Sequence, residues 1–178
     1  KTLFPYTTLF RSEYFCLIGQ KDSDKLAIQE KLGHGPFQDA LAQAARQHGI
    51  WLAGGTLPIT AGTPNRVSNT TLVWNPQGQR VARYDKIHLF AFDNGHERYD
   101  ESRVIEAGST PTVFELLSRD GHTWRVALSV CYDMRFAELY RQLQPDLIMV
   151  PSAFTHTTGQ AHWEVLLRAR AIENLAYL

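Results

Sequence analysis

Residues 126–139 read VALSVCYDMRFAEL, and this stretch decides the fold. An apolar run with strand character passes through a short polar turn into a segment with helical spacing, and Cys131 sits on the junction. A sharp strand-to-helix turn projects its side chain into a cleft, and helix N-terminal amides stabilise a thiolate, so Cys131 is a candidate nucleophile. The next backbone amide, from Tyr132, is a candidate oxyanion donor. Free cysteine is more often inert packing. Cys16, in the apolar run YFCLI with no adjoining turn, takes that inert reading.

The pattern on either side alternates strands and helices. Pro36 to His48 predicts an amphipathic helix, with Phe37, Leu41, Ala44 and Ala45 on one stripe, proline in the first turn and Gly49 as its stop. IWLAGGTLPI follows as a strand. SNTTLVWN and QRVARYDK flank PQG as a hairpin, and TVFELLSR and HTWRVALSVC flank DG as a second. Beyond Cys131 come a helix through AELYRQLQ, the wholly apolar strand DLIMVPSA, buried on both faces, and the helix AHWEVLLRARAIENL. In that helix Glu164 and Arg168 form an i,i+4 pair while Trp163, Leu166 and Leu167 face inward. The mixture predicts an α/β layered sandwich in one domain without repeats or linkers.

Composition narrows the function. Of the 178 residues, 18 are lysine or arginine and 18 aspartate or glutamate, so there is no basic footprint for nucleic acid and no acidic tail. A small molecule is the expected partner. No stretch approaches the roughly 18 apolar residues that span a bilayer, and the first residues lack the pattern of a secretory signal. The expected location is cytoplasmic, with no membrane partner. There the two cysteines read as thiols rather than a disulfide.

A thiol nucleophile usually works with a base, and histidine is the first place to look. Of seven histidines, His88, His156 and His162 lie nearest motif-like segments, which keeps a Cys/His hydrolase open. No pair has HxxxH or CxxC spacing, and His156 and His162 stand six apart across a glycine-containing loop, so no metal site is expected. Asp133 and Arg135 are near enough to Cys131 to be catalytic, but read first as a salt bridge that fixes the turn around it. Phe154, in PSAF at a strand end, reads as core or as a substrate-binding pocket wall.

The opening KTLFPYTTLFRS fits nothing after it. Thr2 to Ser12 resembles a translated short-read sequencing adapter, so residues 1–12 are set apart from fold reasoning and natural sequence is expected from Glu13. The alternative is an ordinary strand, since its Leu, Phe, Tyr and Thr all favour extended structure.

Three separated motifs then carry a resemblance. YDKIHLF, CYDMRFAELYR and GQAHWEVLLRARAIEN, in that order along the chain, are similar to the carbon-nitrogen hydrolase (nitrilase) superfamily, over Glu13 to Leu178. The resemblance implies a four-layer α-β-β-α sandwich, here shortened at both ends, and a catalytic set of cysteine, lysine and glutamate. The cysteine is Cys131 and the lysine Lys86. The base is Glu13, where the family reads close to LPEYF and this chain reads RSEYF. A supporting glutamate matches Glu101, with Glu97 close by in the same loop. The implied reaction converts a terminal carboxamide to acid and ammonia through a thioester, with no cofactor. HWEVLLRARAIE and PSAF look most like the deaminated-glutathione amidases, whereas CYDMRFAEL is also similar to omega-amidases of short α-keto acid amides. Homodimerisation of the full-length protein is implied too. From another class, a non-catalytic binding or assembly module of this fold stays open.

Overall fold

The computed structural model describes residues 8–10, 12–17, 19, 21–93, 95 and 98–178. Most of the adapter-like segment, and Glu97, lie outside the described residues. The elements are β1 (Thr8–Phe10), α1 (Asp24–Ala27), α2 (Pro36–His48), β2 (Trp51–Ala53), β3 (Leu57–Thr60), β4 (Val67–Trp74), β5 (Arg80–Asp85), β6 (Ala91–Asp93), β7 (Arg98–Asp100), β8 (Thr112–Leu117), β9 (Thr123–Leu128), α3 (Ala137–Leu143), β10 (Leu147–Met149) and α4 (His156–Asn174). Single 3-10 turns occupy Glu101–Arg103 and Cys131–Arg135.

Two sheets lie at the centre, each with helices on its outer side. One has five strands, β1-β2-β4-β3 with β5 on the other edge of β4; the second has three, β10-β9-β8. Side-chain alternation builds the layers. Val126, Leu128 and Val130 point with Val73, Tyr84 and Phe114 into the space between sheets. Leu72 and Trp74, on the other face of β4, pack with Leu41 and Ala45 of α2. Ala127 and Ile148 pack with Leu139, Tyr140 and Leu143 of α3, and Trp163, Leu166 and Leu167 of α4 close that side. Three apolar interfaces therefore separate four layers, α-β-β-α. β10 shows why an unbroken apolar strand is needed: Leu147 and Met149 face one interface and Ile148 the other. Fully burying one such side chain contributes about 1.5–3 kcal/mol.

IWLAGGTLPI differs from its reading as one strand. Both β2 and β3 pair with β4, with Ala53 opposite Val73 and Leu57 opposite Thr70, so four residue steps run against three. The extra residue falls at Gly54-Gly55-Thr56, with Gly55 at a φ of 57°. A Cβ on Gly54 would stand 2.8 Å from the Trp74 ring and 2.9 Å from Leu41, so only glycine lets α2 sit this close.

The segment after Cys131 also departs from expectation. It is a 3-10 turn, and α-helix begins only at Ala137. Cys131 itself has a φ of 47°, a left-handed conformation unusual outside glycine. Nor does Asp133 pair with Arg135. Its carboxylate, fully buried, accepts from the Val130 amide at 2.8 Å, the Tyr84 hydroxyl at 2.7 Å and the His88 amide at 2.9 Å, and lies 2.7 Å from His88 Nδ1. Arg135 instead lies over the Tyr132 and Phe154 rings. The physical reason is burial: the interior supplies Asp133 with several donors at no cost in arginine desolvation.

Burial, not charge count, sets the expected energetics. Asp133→Ala leaves several buried donors unpaired and is expected to cost about 3 kcal/mol or more in urea unfolding. Glu164→Ala breaks the 2.6 Å bridge to Arg168, but both side chains there are more than 70% exposed, and the expected loss is about 0.5 kcal/mol or less.

Candidate active site

Each sheet delivers one half of the site. On β5, Tyr84 faces the space between sheets, and the alternation carries Lys86, two residues on, to the same side. The Lys86 amide continues the ladder by donating to the Asn69 carbonyl at 2.9 Å. From the other sheet, β9 runs through Ser129 and Val130 into the Cys131 turn, whose amide donates to Pro151 at 2.9 Å. The Tyr84–Asp133 hydrogen bond ties these halves together.

The sequence-derived residues meet around one cavity of about 190 Å³, lined among others by Glu13, Lys86, Glu101, Cys131, Tyr132 and Phe154. Lys86, 1% exposed, is gripped from two sides: Nζ lies 3.1 Å from Glu13 Oε1 and 2.8 Å from Glu101 Oε2. Glu101 is fixed in turn by the Phe90 amide at 2.7 Å. Glu13 also accepts from Asn69 Nδ2 on Oε1 and from the Ala153 amide on Oε2, both at 2.9 Å. Tyr132 is the second residue of its turn, where backbone amides have no acceptor within the helix.

The electrostatics follow from burial and from two carboxylates around one ammonium. Burial works against the Lys86 charge, but Glu13 and Glu101 outweigh it and hold the ammonium above the ordinary lysine range. For Cys131 the balance is opposite. Burial and the Glu13 carboxylate push the thiol up to about 12, with Lys86 and the Ala153 amide only partly offsetting them. The expected helix-stabilised thiolate is thus absent: no α-helix starts at Cys131, and the protonated thiol needs a base at the moment of attack. Cys16 is half-buried against the α2 interface, where burial raises its thiol to about 11.

Of the histidines, His88 stacks on Phe136 at 3.6 Å and serves Asp133, while His162 lies 3.2 Å from Arg135. Neither is among the cavity-lining residues, nor is His156. Sequence reading missed Asn69, Tyr14, Lys25 and the role of the Ala153 amide. The one available signal for Asn69 was a polar run, Ser68 to Thr71, inside a strand buried along its whole length.

The thiol shift has a thermodynamic consequence. Folded Cys131 ionises near 12 and an unfolded cysteine near 8.5, so above about pH 8.5 the unfolded chain gives up its proton first. Stability contributed below that pH is then lost as pH rises. Between pH 9 and 11, unfolding free energy is expected to fall by about 1.4 kcal/mol per pH unit more steeply in the unaltered chain than in Cys131→Ala. Equal slopes in urea titrations of the two would contradict this burial.

The chain matches the carbon-nitrogen hydrolase family over residues 9–178. It is 42% identical over 151 residues to the deaminated glutathione amidase of Yersinia enterocolitica, covering 82% of this chain and 51% of that one. It is 39% identical over 148 residues to the human omega-amidase NIT2, covering 81% and 51%. Among solved structures, Saccharomyces cerevisiae Nit3, of the nitrilase superfamily, superposes with a TM-score of 0.79 at 26% identity, over 96% of this chain and 59% of that one. The chain thus spans about half the length of the curated relatives it matches. With that match running through both sheets and every residue lining the Cys131 cavity, the chain belongs to the carbon-nitrogen hydrolase family.

Proposed function

We propose that the chain carries the reaction centre of a cysteine amidase that converts the terminal carboxamide of a small, carboxylate-bearing substrate to acid and ammonia. One observation supports this above the rest: a buried ammonium held between two carboxylates at 3.1 and 2.8 Å, in the same cavity as a protonated thiol. As Cys131 sulfur bonds to the amide carbon, its proton passes to Glu13, and the carbonyl oxygen takes up negative charge beside Lys86 Nζ and the Tyr132 amide. Glu13 returns the proton to the nitrogen, the C–N bond breaks and ammonia leaves. Glu13 then takes a proton from water as its oxygen attacks the thioester, and gives it to sulfur as the acid departs. Glu101 keeps Lys86 in place throughout. Phe154 forms a wall of the pocket.

Among the described residues the cavity also carries two cations beyond Lys86. Lys25 is paired with Asp22 at 2.8 Å, whereas Arg135 has aromatic and imidazole neighbours. Arg135 therefore suits a carboxylate at the far end of the substrate. We take deaminated glutathione as the leading substrate type, from the likeness of the final helix and the PSAF loop. A short α-keto acid amide is the second reading, favoured by a cavity of only about 190 Å³.

Ammonia release from both substrate types, followed by a coupled assay, checks the proposal. Cys131→Ala and Lys86→Ala are each expected to lose about 1,000-fold or more in kcat/KM. Arg135→Ala is expected to raise KM about tenfold with little change in kcat, for carboxylate-bearing amides only. Ammonia release that persists in both Cys131→Ala and Lys86→Ala would reject the mechanism. Amide binding without any turnover would favour the non-catalytic module.

A further inference from the structure

Among the described residues Glu13 is held by three donors, of which Lys86 and the Ala153 amide have chemical reasons to be there. The third, Asn69, is a neutral side chain, fully buried in the middle of the five-stranded sheet. Its Nδ2 donates to Glu13 Oε1 at 2.9 Å, while its own Oδ1 is buried without a hydrogen-bond partner among the described residues. A buried acceptor left unpaired opposes folding. An apolar side chain of the same shape would avoid that cost, so the orientation of this amide is explained by what Nδ2 does and by nothing Oδ1 gains.

We propose that Asn69 is a positioning residue for the reaction: by fixing Oε1 of Glu13, it turns Oε2 toward the sulfur of Cys131. Oε1 takes both Asn69 and Lys86, but Lys86 is shared with Glu101, so Asn69 is the donor on Oε1 that serves Glu13 alone. Oε2 takes the Ala153 amide, a group that also acts on the Cys131 thiol, which puts this oxygen on the sulfur side. The donor has to be neutral. A second cation on Oε1 would compete with Lys86 for the carbonyl oxygen, whereas an amide holds the carboxylate in register without adding charge. The Asn69 backbone carbonyl also accepts from the Lys86 backbone amide at 2.9 Å, so one residue of β4 sets the position of both base and ammonium.

The inference rests on the reading of Glu13 as base, and its test is made independent of turnover. Among the described residues, the charged and titratable groups around Glu13 are Lys86 from the end of β5, Glu101 beyond it, Cys131 from the turn after β9 and the adjacent Tyr14. Alkylation of Cys131 by iodoacetamide in the full chain, read by mass spectrometry of its peptide with Cys16 as internal control, reports how readily Glu13 takes the thiol proton. Asn69→Leu and Asn69→Ala are each expected to slow that alkylation about tenfold. Thr71→Val, two residues along the same strand and also buried with an unpartnered hydroxyl, is expected to leave the rate in place. A folded Asn69 variant that alkylates at the unaltered rate would overturn the proposal, and so would a Thr71→Val that slows it equally. In hydrolysis, Asn69→Leu is expected to lower kcat about tenfold or more with KM nearly constant. An unaltered chain that releases no ammonia would refute the amidase reading, while the alkylation rates would still decide whether Asn69 governs Glu13.

Discussion

The Asp133 carboxylate joins the two sheets at the one place where their relative position matters. It closes the Cys131 turn through the Val130 amide and reaches across to Tyr84 and His88 on the segment that carries Lys86. Because Tyr84 and Lys86 lie on one face of that segment, the reach of one hydroxyl fixes the separation of nucleophile and ammonium. It also supports Cys131 in a left-handed conformation that most side chains avoid, at a cost of order 1–3 kcal/mol. Buried carboxylates are tolerated only when hydrogen-bonded, and here each bond is also a distance constraint on the site.

Charge balance does the rest. Two carboxylates around one lysine keep that lysine charged in a cavity that would otherwise neutralise it, while burial and the Glu13 carboxylate push the nearby thiol up. A preformed thiolate would sit against the lysine as an ion pair and would have to give up that attraction in order to attack. In the proposed reaction a neutral thiol beside Glu13 leaves the ammonium for the oxygen that becomes negative. Asn69 fits this logic as a donor that organises without changing the charge count.

Much of the fold was legible because single periodicities decide it. The α2 helix runs from Pro36 to His48 as read, with Gly49 left-handed at its end, and both hairpins fall where PQG and DG place them. β10 is buried on both faces, as an unbroken apolar run requires. The break at Gly54-Gly55 was not legible, because a strand with one extra residue has the same local pattern as one without it; the Trp74 ring and Leu41 make glycine necessary, and both are distant in sequence. Likewise Asp133 was assigned to the neighbouring Arg135, since sequence displays near neighbours and hides Tyr84, 49 residues away. Cys131 was a candidate from its place at the end of an apolar strand, whereas Lys86, Glu13 and Glu101 were reached through motif resemblance. Asn69 was missed because its partner is 56 residues distant and no motif marked it.

The central claim is that Cys131, Lys86 and Glu13 form one reacting unit. The most direct measurement is rapid quenching of the chain with a carboxamide substrate in acid, followed by mass spectrometry of its peptides. The account predicts a transient adduct on the Cys131 peptide with the mass of the substrate less ammonia, removed by hydroxylamine as a thioester is. Substrate turnover with no such adduct on Cys131, or with the adduct on Cys16, would contradict it.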